Sequence, residues 1–112
     1  MSDDAGNLIT TEQIQEAVEL LREAADPVKI ILFGSYARGD ADGGSDVDLL
    51  VVERGRPDTA AEMLRLLRVL VPTRLPVDVV VVGEAEFARW SSWSGTALAD
   101  AAEDGKVLYD AA

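Results

Sequence analysis

Two short apolar runs, residues 29–33 and 49–52, enclose a segment that begins with Gly34-Ser35 and ends with Asp46-Val47-Asp48. Runs of this length that are rich in Ile, Leu and Val are typical of buried strands, and glycine lets the backbone turn sharply and approach a ligand closely. Residues two apart on a strand point to the same face, so Asp46 and Asp48 should project together. The sequence therefore predicts a tight turn at residues 34–35 tied to two carboxylates on one strand face.

This arrangement of side chains favours metal-dependent chemistry on a nucleoside triphosphate. Two adjacent carboxylates repel each other, a hard divalent cation relieves the repulsion, and Mg²⁺ commonly binds through one or two carboxylates plus substrate phosphates. The Ser35 hydroxyl can bond a phosphate oxygen, and a helix over residues 35–38 would direct free N–H groups at the same phosphate. A P-loop is excluded, because no Gly-Lys-Ser/Thr follows the glycines.

A third carboxylate, Asp78, lies near the start of a β-branched run at residues 76–82. A strand that is buried seldom accommodates an unpaired charge, so Asp78 is a further candidate for the same site. The alternative is a solvated acid at the end of an edge strand, which Pro76, two residues before Asp78, would also permit. For Asp46 and Asp48 the corresponding alternative is a pair of solvated turn residues.

Composition narrows the chemistry further. The 112 residues carry a net charge of −11 and contain no cysteine and no histidine. Disulfides, thiolate chemistry, a histidine base and the common zinc sites are therefore excluded, and any metal must be held by oxygen. Ten basic residues against 21 acidic ones disfavour extended nucleic-acid binding, whereas a nucleotide bound with Mg²⁺ brings its own countercharge. The acidic surface would attract a basic protein partner, or it could serve only solubility.

Helical and strand periodicities alternate along the chain and predict one α/β (α+β) domain over residues 1–112, with a small mixed sheet flanked by helices and a flexible stretch at residues 1–9. The first helix, up to residue 25, has a capping-box pattern at Thr10-x-x-Gln13. Strands are expected at residues 28–33, 47–52 and 77–82, and residues 106–109 form a short apolar tail. A short helix is expected at residues 35–38, and a longer one begins after Asp58 or Thr59 and is stopped by Pro72. Two more helices are expected, one around Phe87 and Trp90 and one at residues 96–103. The helix before Pro72 should bury a stripe of Met63, Leu66, Leu67 and Leu70.

The segments Phe33-Gly34-Ser35-Tyr36-Ala37-Arg38-Gly39 and Ser45-Asp46-Val47-Asp48-Leu49 resemble the signature of the DNA polymerase β-type nucleotidyltransferase superfamily. The chain length resembles that of the minimal nucleotidyltransferase (MNT) domains. The resemblance implies the nucleotidyltransferase fold, ATP as substrate and two Mg²⁺ ions held by Asp46, Asp48 and Asp78. It also implies that Asp78 takes the proton of the attacking hydroxyl, and that Gly34, Ser35, Arg38 and Ser45 bind the nucleotide. From the residues alone, Arg38 could equally pair with Asp40 or Asp42 at the surface.

Stand-alone MNT domains resemble the antitoxin half of HEPN–MNT toxin–antitoxin pairs, in which AMP is transferred from ATP to a tyrosine of a helical HEPN ribonuclease. The resemblance therefore implies a protein adenylyltransferase whose partner is such a toxin. Two alternatives remain open: an antitoxin that neutralises its partner by occlusion alone, and a nucleotidyltransferase of small molecules such as aminoglycosides. The acidic N-terminus lacks the features of a signal peptide and no apolar run approaches a membrane span, so a cytoplasmic protein without a membrane partner is expected.

Overall fold

A mixed sheet of four strands, in the order β3-β2-β1-β4, forms the centre of the part of the chain that the structure describes. The structure is a computed structural model, and it describes residues 8–90 and 105–111. The predicted helix at residues 96–103, and most of the stretch 1–9 expected to be flexible, lie outside those residues. The elements are α1 (Thr11–Ala25), β1 (Lys29–Phe33), α2 (Ser35–Arg38), β2 (Val47–Glu53), α3 (Thr59–Leu70), β3 (Val77–Gly83), α4 (Glu84–Trp90) and β4 (Lys106–Asp110).

Strand pairing confirms the predicted mixed sheet. β1 pairs antiparallel with β2 on one side and with β4 on the other, so the apolar tail at residues 106–109 is part of an edge strand. β2 and β3 are parallel neighbours, because α3 carries the chain back to the starting end of the sheet. Phe33 is the partner of Asp48, and Asp48 is the partner of Asp78.

One face of the sheet is covered by α1 and α3, which also contact each other. Alternate residues of the strands point toward these helices, as the two-residue period of a strand requires. The apolar residues of α1 that recur at helical spacing are buried here, namely Ile14, Ala17, Val18 and Leu21. The buried core on this face consists of Ile14, Ala17, Val18, Leu21, Ile30, Leu32, Ala37, Val47, Leu49, Val51, Leu66, Leu70, Val79 and Val81.

The opposite face of the sheet carries a smaller apolar cluster. Its buried members are Ile31, Leu50, Val52 and Val82, and Phe87 of α4 is among the side chains packed against them. On β2 and β3 the same alternation continues to Asp48 and Asp78, which therefore share this face with the smaller cluster.

Local sequence signals explain where the helices begin and end. The Thr10 hydroxyl accepts a hydrogen bond from the Gln13 N–H at 3.1 Å, and the Gln13 side chain accepts one from the Thr10 N–H at 2.8 Å, which confirms the capping box. Asp58 caps α3 by accepting from the Ala61 N–H at 3.2 Å. Pro72 lies in the 3₁₀ turn Val71–Thr73 that follows α3, so the predicted stop is confirmed. None of the helices within the described residues is long and apolar enough to cross a membrane.

The prediction for the buried stripe of α3 is wrong at one position. Leu66 and Leu70 are buried and Met63 is partly buried, but Leu67 is 37% exposed. The apolar arc of this helix is wider than the surface that the sheet and α1 cover, so periodicity alone could not tell which of its leucines would be left outside.

A buried carboxyl group ends β2 on the face covered by α3. Glu53 is 8% exposed, and its Oε2 atom has no hydrogen-bond partner among the described residues. The Arg65 guanidinium donates to the two carboxylate oxygens of Glu62 at 2.6 and 2.9 Å. Burial first, and the adjacent Glu62 carboxylate second, raise the pKa of Glu53 to about 7. Hydrogen bonds from Arg65 and from protonated Glu53 hold the pKa of Glu62 at about 2.

Replacing Glu53 with glutamine should stabilise the domain at pH 8 and change it little at pH 5. In the folded state the Glu53 pKa of about 7 lies above its ordinary value of 4.5, so the free energy of unfolding of the wild type falls as the pH rises through this interval. Glutamine keeps the shape and can donate to Glu62 without titrating, so the variant should avoid a loss of about 2–3 kcal/mol by pH 8. Urea unfolding at the two pH values measures the difference. The exposed Glu16→Gln change is the control, and equal pH slopes for Glu53→Gln and wild type would contradict the assignment.

Candidate active site

Three carboxylates meet where β2 and β3 begin. Asp48 and Asp78 are register partners on adjacent parallel strands, and Asp46 lies one residue before the first residue of β2. Val47, which separates Asp46 from Asp48, is fully buried, so both aspartates are directed away from the main core. Asp46 and Asp78 are exposed, whereas Asp48 is partly buried. The structure therefore brings together the three acids that the sequence singled out, although β3 is an edge strand and Asp78 faces solvent.

Gly34 forms one wall of the site, directly against Asp48. It follows β1, whose last residue pairs with Asp48, and it is the N-cap of α2 with φ 76° and ψ −155°, a conformation open essentially only to glycine. A Cβ atom built at Gly34 would overlap Asp48 Oδ2. The missing side chain leaves the backbone of the turn directly beside this carboxylate. The close approach of the Gly34 backbone to a ligand stays a prediction.

Ser35 is the first residue of α2, and Gly34 before it is the N-cap. The Gly34 carbonyl accepts the first helical hydrogen bonds, from the Ala37 and Arg38 N–H groups at 3.1 and 3.0 Å. Within the described residues the Ser35 hydroxyl makes no hydrogen bond. It is therefore available to a ligand beside Gly34.

Arg38 lies at the edge of the site and forms an exposed ion pair with Asp40, with 3.3 Å between Arg38 Nε and Asp40 Oδ2. Its guanidinium is also close enough to lower the pKa of Asp48. An exposed ion pair contributes only about 0–1 kcal/mol, so an anionic ligand could draw Arg38 away from Asp40 at little cost. The surface pairing and the predicted role with phosphate are thus compatible.

A set of hydrogen bonds between Asp42 and Ser45 closes the loop that leads into Asp46. The Ser45 hydroxyl accepts from the Asp42 N–H at 2.9 Å and donates to Asp42 Oδ1 at 3.2 Å. Asp42 Oδ1 also accepts from the Gly44 N–H at 2.9 Å, and the Asp42 carbonyl accepts from the Ser45 N–H at 3.0 Å. Ser45, predicted to bind nucleotide, is placed here as a loop-ordering residue. Asp42 was not a candidate from the sequence, although an Asp-x-x-Ser spacing next to glycines is a known turn signal.

Tyr36 ties the Gly34–Ser35 turn to the segment before α1. Its hydroxyl accepts a hydrogen bond from the Ile9 N–H at 2.9 Å, and its ring packs against the main core. This contact between residues 27 positions apart holds α2 against the body of the domain. The tyrosine that directly follows the Gly-Ser pair is thus a positioning residue.

Unbalanced negative charge is the main electrostatic property of the site. Burial, and then the charges of Asp78 and Asp46, raise the pKa of Asp48, while Arg38 opposes the shift. A cation bound among the three acids would relieve this repulsion and favour the ionised carboxylates. The carboxylate oxygens suit a hard ion such as Mg²⁺.

The described residues contain no group of three acidic, histidine or cysteine side chains that is already arranged to hold a metal ion. Mg²⁺ usually takes only one or two carboxylates from the protein and completes its shell with water and substrate phosphates. The acids therefore fit an ion that arrives with a nucleotide better than they fit a permanently occupied cage.

A cavity of about 560 Å³ lies at the opposite end of the sheet, where β2 and β3 finish. It is lined by Gly55, Arg56, Pro57, Thr59, Gly83, Ala85, Glu86 and Arg89. None of these residues belongs to the carboxylate site, so the cavity and the candidate chemistry are separate. The carboxylates lie instead at the end of the sheet where β2 and β3 begin, with Asp46 and Asp78 exposed.

Comparison with known proteins identifies the family of this domain. Residues 13–109 match the family model described as "Nucleotidyltransferase domain". A candidate protein adenylyltransferase of Methanocaldococcus jannaschii is 37% identical over 81 residues, which is 72% of this chain and 77% of that protein.

Solved structures show the same fold. A candidate nucleotidyltransferase from Sulfolobus solfataricus aligns with a TM-score of 0.64 and 25% identity, over 89% of this chain and 79% of that one. A toxin–antitoxin structure with AMP-PNP aligns with a TM-score of 0.61 and 24% identity, over 91% of this chain and 74% of that one. A complex of tri-AMPylated Shewanella oneidensis HEPN toxin with MNT antitoxin aligns with a TM-score of 0.58 and 21% identity, over 91% of this chain and 73% of that one. At these sequence identities, the similarity to the two toxin–antitoxin structures shows a shared fold and nothing further.

Replacing Gly34 with alanine should abolish nucleotide binding and destabilise the domain by about 1–3 kcal/mol from backbone strain alone. Both effects follow from the positive φ and from the overlap of the new Cβ with Asp48. Urea unfolding and titration with a fluorescent ATP analogue and Mg²⁺ measure them. Gly39→Ala is the matched control, because Gly39 has φ 89° and no neighbouring atom within 4 Å of an added Cβ. Equal nucleotide binding by the two variants would contradict the close approach at Gly34.

Replacing Asp42 with alanine should weaken Mg²⁺-dependent ATP binding by about tenfold while leaving global stability nearly unchanged, because the loss of about two exposed hydrogen bonds loosens only the loop before Asp46. Calorimetric titration with ATP and Mg²⁺, together with amide hydrogen exchange over residues 39–46, measures the effect. Asp42→Asn keeps the Oδ1 acceptor and should behave like wild type. If asparagine is as damaging as alanine, the charge of Asp42 matters and its hydrogen bonds do not.

Proposed function

This chain belongs to the nucleotidyltransferase domain family, and we propose that it transfers AMP from ATP to a hydroxyl group of a protein partner in the presence of Mg²⁺. The observation that carries the proposal is the alignment of Asp48 with Asp78 on neighbouring strands, with the Gly34 backbone directly against Asp48. A glycine turn for phosphate beside acids for the metal is what nucleotidyl transfer requires of a protein.

We propose that two Mg²⁺ ions would be held by the three acids Asp46, Asp48 and Asp78. An Mg²⁺ ion held by these acids would neutralise phosphate charge and would lower the barrier to an in-line displacement. Gly34 leaves room for the triphosphate next to Asp48, and the free Ser35 hydroxyl can donate a hydrogen bond to a phosphate oxygen. Arg38 can exchange Asp40 for the departing pyrophosphate.

The exposure of Asp78 on an edge strand, beside the partly buried Asp48, supports a role for Asp78 toward the acceptor. In the proposed step Asp78 takes the proton from the acceptor hydroxyl. The hydroxyl oxygen then forms a bond to the α-phosphorus of ATP, and the bond from that phosphorus to the bridging oxygen breaks. Pyrophosphate leaves, and AMP stays on the acceptor.

A protein acceptor, specifically a HEPN-type ribonuclease toxin silenced by adenylylation, is the form of the proposal that we favour. Three observations support it. The 37% identical relative is a candidate protein adenylyltransferase. A domain of the same fold occurs in a complex with a tri-AMPylated HEPN toxin. The carboxylates lie at an open sheet edge rather than in the 560 Å³ cavity, which suits an acceptor presented on another protein.

Asp46→Asn/Asp48→Asn should reduce AMP transfer by about a hundredfold or more, since the variant lacks two of the three proposed metal ligands. The measurement follows label from [α-³²P]ATP onto a co-expressed partner protein, with and without Mg²⁺. Asp26→Asn/Asp58→Asn is the matched control. It makes the same charge change outside the site. Asp26 is the C-cap of α1 in the left-handed backbone conformation and Asp58 is the N-cap of α3, and asparagine is well tolerated at both kinds of position.

Three results of this experiment can be told apart. Label that disappears in Asp46→Asn/Asp48→Asn but persists in the control supports nucleotidyl transfer to protein. Undiminished label in Asp46→Asn/Asp48→Asn would show that these acids do not carry the reaction. A tight complex whose partner is inhibited but unlabelled would replace transfer with neutralisation by binding.

A further inference from the structure

The solvent side of α3 carries an apolar stripe that nothing in the described part of the chain covers. Leu64 is 53% exposed, Leu67 37% and Val71 68%. Their spacing of three and four residues places them along one side of the helix. Half of the large apolar side chains exposed in the described residues lie here, the others being Leu8, Val80 and Val107. Because such residues cluster where a protein meets a partner, this stripe has the character of a contact surface.

Arginines flank the stripe, although the chain as a whole is strongly acidic. Residues 59–77 contain three arginines and one glutamate, in a chain of net charge −11. The glutamate, Glu62, is bound by Arg65. Arg68 and Arg74 are exposed and form no ion pair with any described residue. We call Leu64, Leu67, Val71, Arg68 and Arg74 the α3 surface, and its local charge favours an acidic ligand.

The α3 surface ends beside the candidate active site. After Val71 the chain makes the 3₁₀ turn and enters β3, where Asp78 is the second residue. The Pro76 carbonyl, just before β3, accepts a hydrogen bond from the Val47 N–H at 2.9 Å, which joins this connection to the start of β2. α3 covers the face of the sheet opposite to the one that carries Asp48 and Asp78, but its C-terminal end lies at the end of the sheet where both strands begin. A protein that lies along α3 and extends past this end of the sheet would therefore reach the exposed Asp78.

We propose that the α3 surface docks an amphipathic helix of the acceptor protein whose apolar stripe is flanked by aspartate or glutamate. The apolar side chains of that helix would cover Leu64, Leu67 and Val71, and its carboxylates would pair with Arg68 and Arg74. The inference rests on the proposed function only in taking the docked protein to be the acceptor. A second copy of this chain is a poorer occupant, since two molecules of charge −11 repel each other.

Two labelled synthetic helical peptides of about 20 residues test the surface directly. They share one leucine stripe and differ only in their flanking residues, which are glutamate in the first and lysine in the second. Fluorescence anisotropy with the full chain should show saturable binding of the glutamate peptide, about tenfold or more tighter than that of the lysine peptide. Leu64→Ser/Leu67→Ser should abolish binding of the glutamate peptide, and circular dichroism checks that the variant remains folded.

Charge reversal gives the sharper comparison. Arg68→Glu/Arg74→Glu should lose affinity for the glutamate peptide and gain affinity for the lysine peptide. The control Arg54→Glu/Arg56→Glu changes the net charge equally at exposed positions in the turn before α3 and should keep the wild-type preference. An equal effect of the two pairs, or no binding of the glutamate peptide to wild type, would overturn the proposal. So would light scattering that shows an oligomer of this chain dissociated by Leu64→Ser/Leu67→Ser.

Peptide binding and AMP transfer can fail independently. Asp46→Asn/Asp48→Asn leaves the α3 surface intact and should bind the glutamate peptide as wild type does. Peptide binding without transfer to any partner would count against the proposed function and leave the docking surface standing. Transfer that is unaffected by Arg68→Glu/Arg74→Glu would show that the acceptor docks elsewhere.

Discussion

The parallel pairing of β2 with β3 is the interaction on which the rest of the site depends. Its register places Asp48 opposite Asp78, although 30 positions separate them in the chain. A shift by one residue would turn every side chain of β3 to the other face and bury Asp78 among the core valines. The register is held because Val79 and Val81 must face α3, where they are almost fully buried. The hydrophobic core thereby determines the geometry of the carboxylates.

The site itself opposes folding, and the remainder of the domain offsets that cost. Three acids are held close enough together for repulsion and burial to raise the pKa of Asp48, and Gly34 adopts a conformation that costs any other residue strain. These features are tolerated because α1 and α3 bury a continuous apolar core on the other face. A nucleotide that brings Mg²⁺ would neutralise the repulsion, so ligand binding and stability should be coupled at this edge.

Charge is distributed unevenly, and the two proposed partners meet different parts of it. The carboxylate edge has an excess of negative charge, so under the proposed function a metal ion would be needed to offset the repulsion of the nucleotide phosphates. The α3 surface is locally basic and apolar within an acidic chain. The negative charge of the whole domain could therefore attract a basic acceptor protein over long range, while the arginines of the α3 surface pair with acidic side chains of that protein at short range. Such a combination favours one specific orientation of the two proteins.

The amino-acid sequence by itself determined the elements and the chemical character of the site. Periodicities of two and 3.6 residues, the capping box at Thr10 and the Gly34-Ser35 turn depend on neighbours a few positions away, so they could be predicted. Only the tertiary structure decided that Asp48 faces Asp78, that Glu53 is buried, that Leu67 lies outside the core and that Tyr36 holds Ile9. These outcomes depend on which distant segments pack together and how much surface each one covers, and no local pattern in the chain encodes that area.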